Sequence, residues 1–330
     1  MLPRSVLTIA PLRISLLGGG TDFYSYYSKS SGAVLASAID KYVYVHIKKH
    51  DPLFQEKYRI SYSEVEHCQA RSEIKNDIVR ASLELLDIDI PLQISTSADL
   101  PANSGLGSSS SFAVALILGL HELKGERVGA AQLAEEACKV EIDILGSPIG
   151  KQDQYASAFG GLNLIEFSAD ETVRIEPIST KHKIVQDLFS SCSLIWTEQS
   201  RRANTVLEDQ ASRSTENQVV LDELLSLVYL LRDELRCSTP SLANIGSLIS
   251  KGWEIKKQLS PLILTDEISN MLYQINQLEI YGGKLLGAGA GGFIFSIHRS
   301  MRQDLPIISS KWATFQPNID YEGARILSTS

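Results

Sequence analysis

Residues 101–111 read PANSGLGSSSS, and their glycines and serines are spaced so that they could bind a phosphate. A predicted strand, PLQISTSADL, leads into this stretch, and an apolar helix is predicted from Phe112 to Leu123. The first N–H groups of a helix have no helical partners and form its positive end, so they can bind an anion. Glycines let the backbone approach a phosphate, and serine hydroxyls can donate to it or ligate Mg²⁺. The alternative is a serine that merely caps a core helix.

Two acids follow in the segment KVEIDILGSPIGKQDQYASAFGG. Asp153 comes just after a glycine-rich turn, at the predicted start of a short helix, where a carboxylate is electrostatically stabilised. There it could act as a general base, and Glu141 could hold a metal ion. The alternative is that Asp153 caps its helix and that Glu141 is solvated on a helix face.

An arginine and an aspartate flank a triple glycine in PLRISLLGGGTDF. Arg13 leaves a strand and could bind an anion or a developing negative charge. Asp22 could accept hydrogen bonds from the hydroxyls of a polyol. The alternative is a salt bridge beside a glycine turn. A later turn, GAGAGG at residues 287–292, could bring backbone close to a ligand, or could simply pack tightly for want of Cβ atoms.

Other catalytic and metal patterns are weak. His46 and His50 are four residues apart, but on a predicted strand end, and there is no HExxH sequence. The serine-rich loop is not GxSxG, which argues against a hydrolase. No GK[ST] follows the glycines, and no GxGxxG follows the first strand, so a Walker A loop and a dinucleotide-binding enzyme are both disfavoured.

The composition supports a large globular core and limits the choice of partners. The chain has 330 residues, 44% of them hydrophobic, and a net charge of -8 without a basic stripe, which disfavours nucleic acid. Four scattered cysteines predict reduced core thiols. The longest apolar run, residues 112–120, is shorter than the ~18 residues that span a bilayer, and the proline-broken N-terminus makes a poor signal peptide. We expect a cytoplasmic protein that binds no membrane.

The pattern of predicted elements positions these residues in two parts. Mixed strands and short helices extend to about residue 180, and long helical patterns dominate after Arg201, which predicts domains at 1–185 and 186–330. The predicted strands are VLTIAPLRISLL (bent or broken at its proline), VLASAI, YVYVHIKK, PLQISTSADL, LNLIEF and SLIWTE. The other predicted helices are KNDIVRASLELLD, AAQLAEEACKVEIDIL, GKQDQYASAF, QVVLDELLSLVYLLRDELR and ISNMLYQINQLEIYG.

Three segments in order, PLRISLLGGGTD, LPANSGLGSSSS and KLLGAGAGGF, resemble the hallmarks of the GHMP kinases, a superfamily that includes galactokinase, homoserine kinase, mevalonate kinase and phosphomevalonate kinase. The resemblance spans residues 11–292. Within the superfamily, GGGTD, GLGSSSSFAV and KQDQYASAFGGLN resemble D-glycero-D-manno-heptose 7-phosphate kinases and related sugar anomeric kinases. Galactokinases have a Glu-His pair where this chain has Gly19 and Gly20, which disfavours galactose.

The resemblance implies an α+β, two-domain GHMP kinase fold, with a ribosomal protein S5 domain 2-like N-terminal domain and a ferredoxin-like, helix-rich C-terminal domain. It also implies ATP and Mg²⁺ as cofactors. The residues expected to bind ATP are Pro101, Asn103, Ser104, Gly105, Leu106, Gly107, Ser108, Ser109 and Ser110.

The remaining site residues follow from the same resemblance. Ser109 and Glu141 match the positions that hold Mg²⁺, Asp153 matches the acid that takes the proton from the sugar hydroxyl, and Arg13 matches a basic residue beside the transferred phosphoryl group. The residues expected to contact or support the substrate are Gly19, Gly20, Thr21, Asp22, Gly289 and Gly291. Arg202 is added to them on its position and chemistry, because a cation there could bind an anionic group of the substrate.

The implied reaction is phosphorylation of the anomeric C1 hydroxyl of D-glycero-D-manno-heptose 7-phosphate. Another sugar 1-kinase, such as an L-fucose kinase, and a non-catalytic ligand-binding member of the fold are the alternatives. The expected partners are a sugar phosphate and ATP, with a homodimer as an open expectation. The candidates for holding the 7-phosphate are Arg201, Arg202, Lys29, Lys41, Lys48 and Arg174.

Overall fold

Two β-sheets organise the chain in the computed structural model, which describes residues 2–51, 53–179, 183–199, 203–213 and 216–330. The strands are β1 (Ser5–Leu17), β2 (Gly32–Lys49), β3 (Tyr58–Ser61), β4 (Val65–Cys68), β5 (Leu92–Ala98), β6 (Leu162–Phe167), β7 (Val173–Pro177), β8 (Cys192–Trp196), β9 (Ile280–Leu285), β10 (Phe293–His298), β11 (Thr314–Phe315) and β12 (Arg325–Thr329).

Helices connect and cover these strands. They are α1 (Tyr24–Ser30), α2 (Asp77–Leu85), α3 (Ser108–Lys124), α4 (Ala130–Cys138), α5 (Gln152–Phe159), α6 (Lys183–Ser190), α7 (Ala203–Ser212), α8 (Gln218–Arg236), α9 (Leu242–Lys256), α10 (Asp266–Asn276) and α11 (Met301–Ser309), with 3₁₀ turns at Arg71–Glu73 and Lys257–Leu259 and a π-helical segment at Lys139–Ile144. The mixture of helices and largely antiparallel sheets confirms the predicted α+β class.

The larger sheet is built on the long strand β2. Its strand order is β12-β1-β2-β5-β3-β4, and β6 joins β2 and β7. The first part of β2 pairs with β6 and the second part with β5, while β1 pairs along most of its length. The two strand segments predicted here are therefore one continuous strand. Long-range pairing on both sides joins them, which a local pattern cannot show.

A bulge bends β1 at Pro11, where the register with β2 shifts. Proline has no N–H to donate to the strand ladder, so such a position favours an irregularity. The carbonyl of Pro11 accepts hydrogen bonds from the hydroxyls of Ser111 in α3 (2.8 Å) and Ser157 in α5 (2.9 Å). The bent strand predicted from the sequence is thus confirmed, and its bend attaches two helices to β1 close to Arg13.

The apolar helix α3 packs against β1 and β2 and is buried on most of its circumference, as expected for a helix that is hydrophobic all round. It begins at Ser108, before the predicted Phe112, so its serines form the first turn. It ends at Lys124, one residue after the predicted Leu123, and Gly125 follows in the left-handed conformation. Neither α3 nor any other helix among the described residues is long and apolar enough to cross a membrane.

Two other helix predictions were too long. The segment AAQLAEEACKVEIDIL is α-helical only to Cys138 and continues as the π-helical Lys139–Ile144. The segment ISNMLYQINQLEIYG is helical to Asn276, and its last residues start β9 because they pair with β10. The thiols also divide, since three cysteines are buried but Cys237 is exposed.

The smaller sheet has the order β11-β8-β10-β9 and is antiparallel throughout. Helix α9 packs on β9 and α8, while α8 and α9 both reach β1 of the larger sheet. The two sheets follow each other along the chain near residue 185, but β12 returns to pair with β1. Because this pairing crosses the predicted boundary, the division into domains at 1–185 and 186–330 stays a prediction.

Candidate active site

The three glycine-rich segments meet around one cleft between the two sheets. An added Cβ on Gly287 would lie 2.6 Å from the Cα of Gly105, and one on Gly105 would lie 3.0 Å from the carbonyl oxygen of Leu286. Both glycines also have positive φ values, which side chains disfavour. The second and third segments therefore pack backbone to backbone, as only glycine allows.

Arg13 and Asp153 form a two-bond ion pair in this cleft. The Nε and Nη2 atoms of Arg13 donate to the two carboxylate oxygens of Asp153, each at 2.7 Å, and Nη1 donates to the carbonyl oxygen of Gly105 at 2.7 Å. Arg13 is only 5% exposed. Bidentate pairs of this kind fix orientation as well as charge. The structure thus joins the predicted base, the predicted cation and the phosphate loop.

The start of α3 faces the same cleft with its donors free of side-chain caps. Its N-cap residue is Gly107, in the left-handed conformation, and among the described residues no side chain caps the helix. The first helical hydrogen bond is donated by Ser111 to the carbonyl of Gly107. The serine-cap alternative is therefore wrong, and the N–H groups of Ser108, Ser109 and Ser110 precede that bond and can meet an anion.

Gly107 allows the loop to approach the ion pair. An added Cβ there would lie 3.0 Å from Oδ2 of Asp153 and 3.3 Å from Cγ of Arg13. The close packing brings the positive end of α3 next to the predicted base. A side chain at this position would push the loop and the ion pair apart.

Ser109 and Glu141 are in contact, as their predicted shared role requires. The hydroxyl of Ser109 donates to Oε1 of Glu141 at 2.7 Å, and Nε2 of Gln154 donates to Oε2 at 2.6 Å. Burial raises the pKa of Glu141, and the hydrogen bond from Ser109 opposes that change. Glu141 lies in the π-helical segment, a geometry that is frequent at functional sites.

The donor set at Ser109 and Glu141 suits Mg²⁺ shared with a nucleotide. Among the described residues no group of three or more His, Cys, Asp or Glu side chains could hold a metal ion. Mg²⁺ prefers oxygen ligands and is usually held by one or two carboxylates plus substrate phosphates, not by a complete protein cage. One hydroxyl and one carboxylate beside an uncapped helix start, which is able to bind a phosphate, fit that description.

Asp22 is a buried acid that lines the same cleft as Asp153. The N–H of Gly20 donates to its Oδ1 at 2.8 Å, and the N–H and Nε2 of Gln152 donate to its Oδ2 at 3.3 and 3.0 Å. Burial raises the pKa of Asp22; the Gly20 hydrogen bond opposes this, and the charge of Asp153 adds to it. The alternative salt bridge between Arg13 and Asp22 is not formed, because Arg13 pairs with Asp153 instead.

Several predicted site residues lie behind the cleft surface. The hydroxyl of Thr21 donates to the carbonyls of Gly18 and Ala33 and holds the glycine turn. Gly289 packs against Ile263. The predicted residues outside the cleft lining are Pro101 (exposed), Ser104 and Leu106 (buried), Thr21, Gly289 and Gly291. Their proposed ligand roles stay predictions.

Of the predicted phosphate-holding cations, those that the structure describes do not line the cleft. Arg201 and Arg202 lie outside the described residues. The remaining candidates, Lys29, Lys41, Lys48 and Arg174, are absent from the cleft lining. Arg174 pairs instead with two glutamates at the edge of the larger sheet.

The cleft contains a lysine that the sequence interpretation missed. Lys256 at the end of α9 lines it, is 9% exposed, and donates from Nζ to the carbonyl oxygen of Gly287 at 2.6 Å. Burial lowers its pKa to about 8, and the charge of Arg13 contributes. Ser15 and Gln152, also missed, line the cleft beside it.

A weak signal for Lys256 exists in the helix periodicity. Ile249 and Trp253 are buried residues of α9, and Lys256 follows them at the i+7 and i+3 positions of the same face. The position of Lys256 on this apolar face indicates that it is buried. However, a lysine at the end of a helix and next to a second lysine, Lys257, is more commonly a charge exposed to solvent. Periodicity could not show which cleft the buried face meets.

Comparisons with known proteins place this geometry in a family. A model for the GHMP kinase N-terminal domain matches residues 74–161. The D-glycero-alpha-D-manno-heptose 7-phosphate kinase of Campylobacter jejuni is 30% identical over 308 residues, 88% of this chain and 89% of that protein. A bifunctional fucokinase/GDP-fucose pyrophosphorylase of Arabidopsis thaliana is 26% identical over 209 residues, 61% of this chain and 19% of that protein.

Solved structures share the whole fold. A D-glycero-D-manno-heptose 1-phosphate kinase from Bacteroides thetaiotaomicron superposes with a TM-score of 0.73 at 23% identity, covering 98% of this chain and 99% of that one. A galactokinase from Lactococcus lactis, complexed with galactose, gives 0.74 at 15% identity, covering 97% and 95%. The predicted GHMP kinase fold is thereby confirmed.

The chain belongs to the GHMP kinases. It is an ATP-dependent phosphotransferase with an alcohol group as acceptor, and its relatives make it a sugar kinase.

Proposed function

We propose that this kinase transfers the terminal phosphoryl group of ATP to the anomeric C1 hydroxyl of D-glycero-D-manno-heptose 7-phosphate, giving the 1,7-bisphosphate. The 30% identity to the heptose 7-phosphate kinase of Campylobacter jejuni, over nearly the full length of both chains, supports the choice of sugar. The observation that carries the chemistry is the paired Arg13 and Asp153 beside the uncapped start of α3.

The start of α3 binds the phosphates of ATP in this proposal. The N–H groups of Ser108, Ser109 and Ser110 and the positive end of the helix attract the anion. Gly105 and Gly107 keep side chains out of the approach. The loop is held in place by the hydrogen bond that Arg13 donates to Gly105 and by the one between the Arg13 N–H and the Leu106 carbonyl.

Ser109 and Glu141 hold Mg²⁺ in this proposal. When bound, the ion supplies positive charge that offsets the negative charge spread over the phosphoryl oxygens. The protein's own contribution is to keep the Glu141 carboxylate in place. Gln154 binds the oxygen of Glu141 that Ser109 does not contact, so that the carboxylate has one orientation.

Asp153 takes the proton from the sugar hydroxyl. Arg13 uses one acceptor position on each carboxylate oxygen, and each oxygen of an ionised carboxylate has a second one. Asp153 therefore keeps capacity for a hydroxyl proton while Arg13 fixes its direction. Arg13, adjacent to the phosphate loop, also places a positive charge where the phosphoryl group passes.

The substrate is tested with ATP and a panel of free and phosphorylated sugars; the release of ADP gives the rate, and NMR identifies the products. We expect D-glycero-D-manno-heptose 7-phosphate to give the highest kcat/KM and a new C1 phosphate. A higher kcat/KM for L-fucose contradicts the proposed sugar and favours the alternative, for which the similarity to the fucokinase is the supporting observation. Phosphorylation at another hydroxyl contradicts the proposed position.

A further inference from the structure

We propose that Lys256, Gln152 and Ser15 form a subsite that binds a hydroxyl group of the sugar acceptor above Gly19. The identity of the sugar in this proposal rests on the proposed function. The location of the subsite does not, because it follows from the contacts of the described residues. The three side chains come from α9, α5 and β1, so that only the folded chain brings them together.

The three side chains surround the space that a side chain at Gly19 would fill. An added Cβ on Gly19 would lie 3.4 Å from Nε2 of Gln152, 3.7 Å from Nζ of Lys256 and 3.7 Å from Oγ of Ser15. All four residues line the cleft. Glycine at this position therefore leaves a small volume bordered by three polar groups, within the same cleft as Asp153.

The polar groups around this volume have unused hydrogen-bonding capacity. The hydroxyl of Ser15 and Oε1 of Gln152 are buried and have no hydrogen-bond partner among the described residues. Ser15 is only 6% exposed. Lys256 uses one of its three N–H groups on the carbonyl of Gly287. Buried polar atoms are nearly always paired in native proteins, so unpaired ones at a cleft surface need a partner from outside the chain.

The free groups match a hydroxyl. Lys256 can donate, Oε1 of Gln152 can accept, and the hydroxyl of Ser15 can do both. A sugar hydroxyl likewise donates one hydrogen bond and accepts others. Nε2 of Gln152 already donates to Asp22, while Oε1 of the same amide has no partner among the described residues and can accept from a donor.

The charges disfavour a phosphate in this subsite. Lys256 is accompanied by the carboxylates of Asp22 and Asp153, and Arg13 is already bound to Asp153 and Gly105. Lys284 is also near Lys256, but it donates to the carbonyls of Ser15 and Leu16 and does not line the cleft. A phosphate dianion would therefore meet two negative groups, with Lys256 left as its cation. The subsite is therefore specific for the polyol part of the acceptor, and the 7-phosphate binds elsewhere.

The first test replaces Ser15→Ala and measures KM for D-glycero-D-manno-heptose 7-phosphate and for ATP. We expect the sugar KM to rise about 3- to 10-fold, the loss expected for one neutral hydrogen bond, with kcat and the ATP KM within about 2-fold. The Tm should not fall, since the hydroxyl has no partner in the protein itself. An unchanged sugar KM overturns the subsite.

The matched control for that variant is Ser82→Ala. Ser82 in α2 is also fully buried and its hydroxyl also lacks a partner among the described residues, but it does not line the cleft. Its sugar KM should equal that of the wild type. Equal increases of the sugar KM in both variants mean a general packing effect and also overturn the subsite.

The second test replaces Lys256→Met, with Lys257→Met as the neighbouring control. We expect the sugar KM to rise about 10-fold or more, and the ATP KM to change little. The charged groups around Lys256 are Arg13, Asp22, Asp153 and Lys284. Because burial among them lowers the pKa of Lys256 to about 8, kcat/KM for the sugar should fall above pH 8 in the wild type and lose that limb in Lys256→Met. An unchanged limb and sugar KM overturn the role of Lys256.

Failure of the subsite and failure of the proposed function give different results. If the wild type does not phosphorylate heptose 7-phosphate but phosphorylates L-fucose, the proposed sugar is wrong, and the Ser15→Ala comparison is made with L-fucose. An increase of the fucose KM then supports the subsite, and an unchanged KM overturns it.

Discussion

A buried cluster in the smaller sheet, made of His298, Ser193, Ser296 and Asp304, shares serine and aspartate side chains with the cleft but is closed to solvent. His298 bonds through Nε2 to the hydroxyls of Ser193 (2.9 Å) and Ser296 (2.8 Å), and through Nδ1 to Oδ2 of Asp304 (3.1 Å). Serine, histidine and aspartate in this order are the composition of a hydrolase triad. The cleft instead combines Arg13 and Asp153 with serines at a helix start.

The His298 cluster and the cleft differ in solvent exposure and in how many of their polar atoms lack a hydrogen-bond partner. His298 is 1% exposed and both of its serine partners are fully buried. Burial lowers the pKa of His298, and the hydrogen bond to Asp304 opposes this. The buried cluster is satisfied internally and joins β8, β10 and α11. The cleft has buried polar atoms without partners, so the difference teaches that composition alone does not define an active site.

The largest expected effect comes from removing the proposed base, Asp153, from the cleft. Asp153→Asn should lower kcat by about 10²-fold or more, the scale for loss of a general base, while ATP still binds. Steady-state kinetics and ATP titration calorimetry measure the two quantities. Asp143→Asn, an exposed acid on the nearby π-helical segment, is the control. Near wild-type turnover in Asp153→Asn would show that another group takes the proton.

A second prediction concerns how much the buried charge of Lys256 in the cleft lowers the free energy of unfolding. Burial lowers the pKa of Lys256 from its ordinary 10.5 to about 8, so the unfolded chain binds more protons than the folded one between these values. Wild-type stability should therefore rise with pH relative to Lys256→Met, by about 2–3 kcal/mol between pH 7 and pH 10. Urea unfolding of both proteins at the two pH values measures it, and a constant difference contradicts the buried charge.

Changes in the buried His298 cluster should lower the free energy of unfolding and leave kcat unchanged. His298→Leu leaves the buried Asp304 carboxylate and two serine hydroxyls without their partner. We expect the free energy of unfolding to fall by about 2 kcal/mol or more, with kcat of the folded variant unchanged. His67→Gln, at an exposed histidine, is the control in urea unfolding. A selective loss of kcat would mean that the two regions are coupled.

A smaller effect concerns the metal. Glu141→Gln keeps the shape of the side chain but removes the negative oxygen that Mg²⁺ prefers. The Mg²⁺ concentration for half-maximal rate should rise about 10-fold or more, which a Mg²⁺ titration of the rate measures. If that concentration does not change, Ser109 and Glu141 form only a structural hydrogen bond.

The smallest expected effect concerns the substrate phosphate. Arg202→Gln should raise KM for a phosphorylated sugar by about 3- to 10-fold, the loss expected for one typical hydrogen bond, and should leave KM for the unphosphorylated sugar unchanged. Paired kinetics on the two sugars measure this. Equal changes for both sugars would remove Arg202 as the phosphate-holding residue.

Local patterns predicted much of the fold. The helix Gln218–Arg236 and the strand Leu162–Phe167 have their predicted bounds, because each has a complete periodic pattern between clear breaks. The end of α10 was predicted too late, because pairing of Ile280–Leu285 with β10 overrides its helical pattern. The extent of β2 was missed for a related reason, since different partners complete its two parts.

The sequence by itself determined where glycines let backbone approach backbone or a phosphate, because the absence of a Cβ at Gly105 and Gly107 is a local steric fact; that no side chain caps the helix after them was decided by the structure. The sequence also determined the order of the three segments. Only the tertiary structure decided that Arg13 pairs with Asp153 and not with Asp22, and that Lys256 enters the cleft. These choices depend on contacts between elements far apart in the chain, where spacing along the sequence carries no information about distance in space.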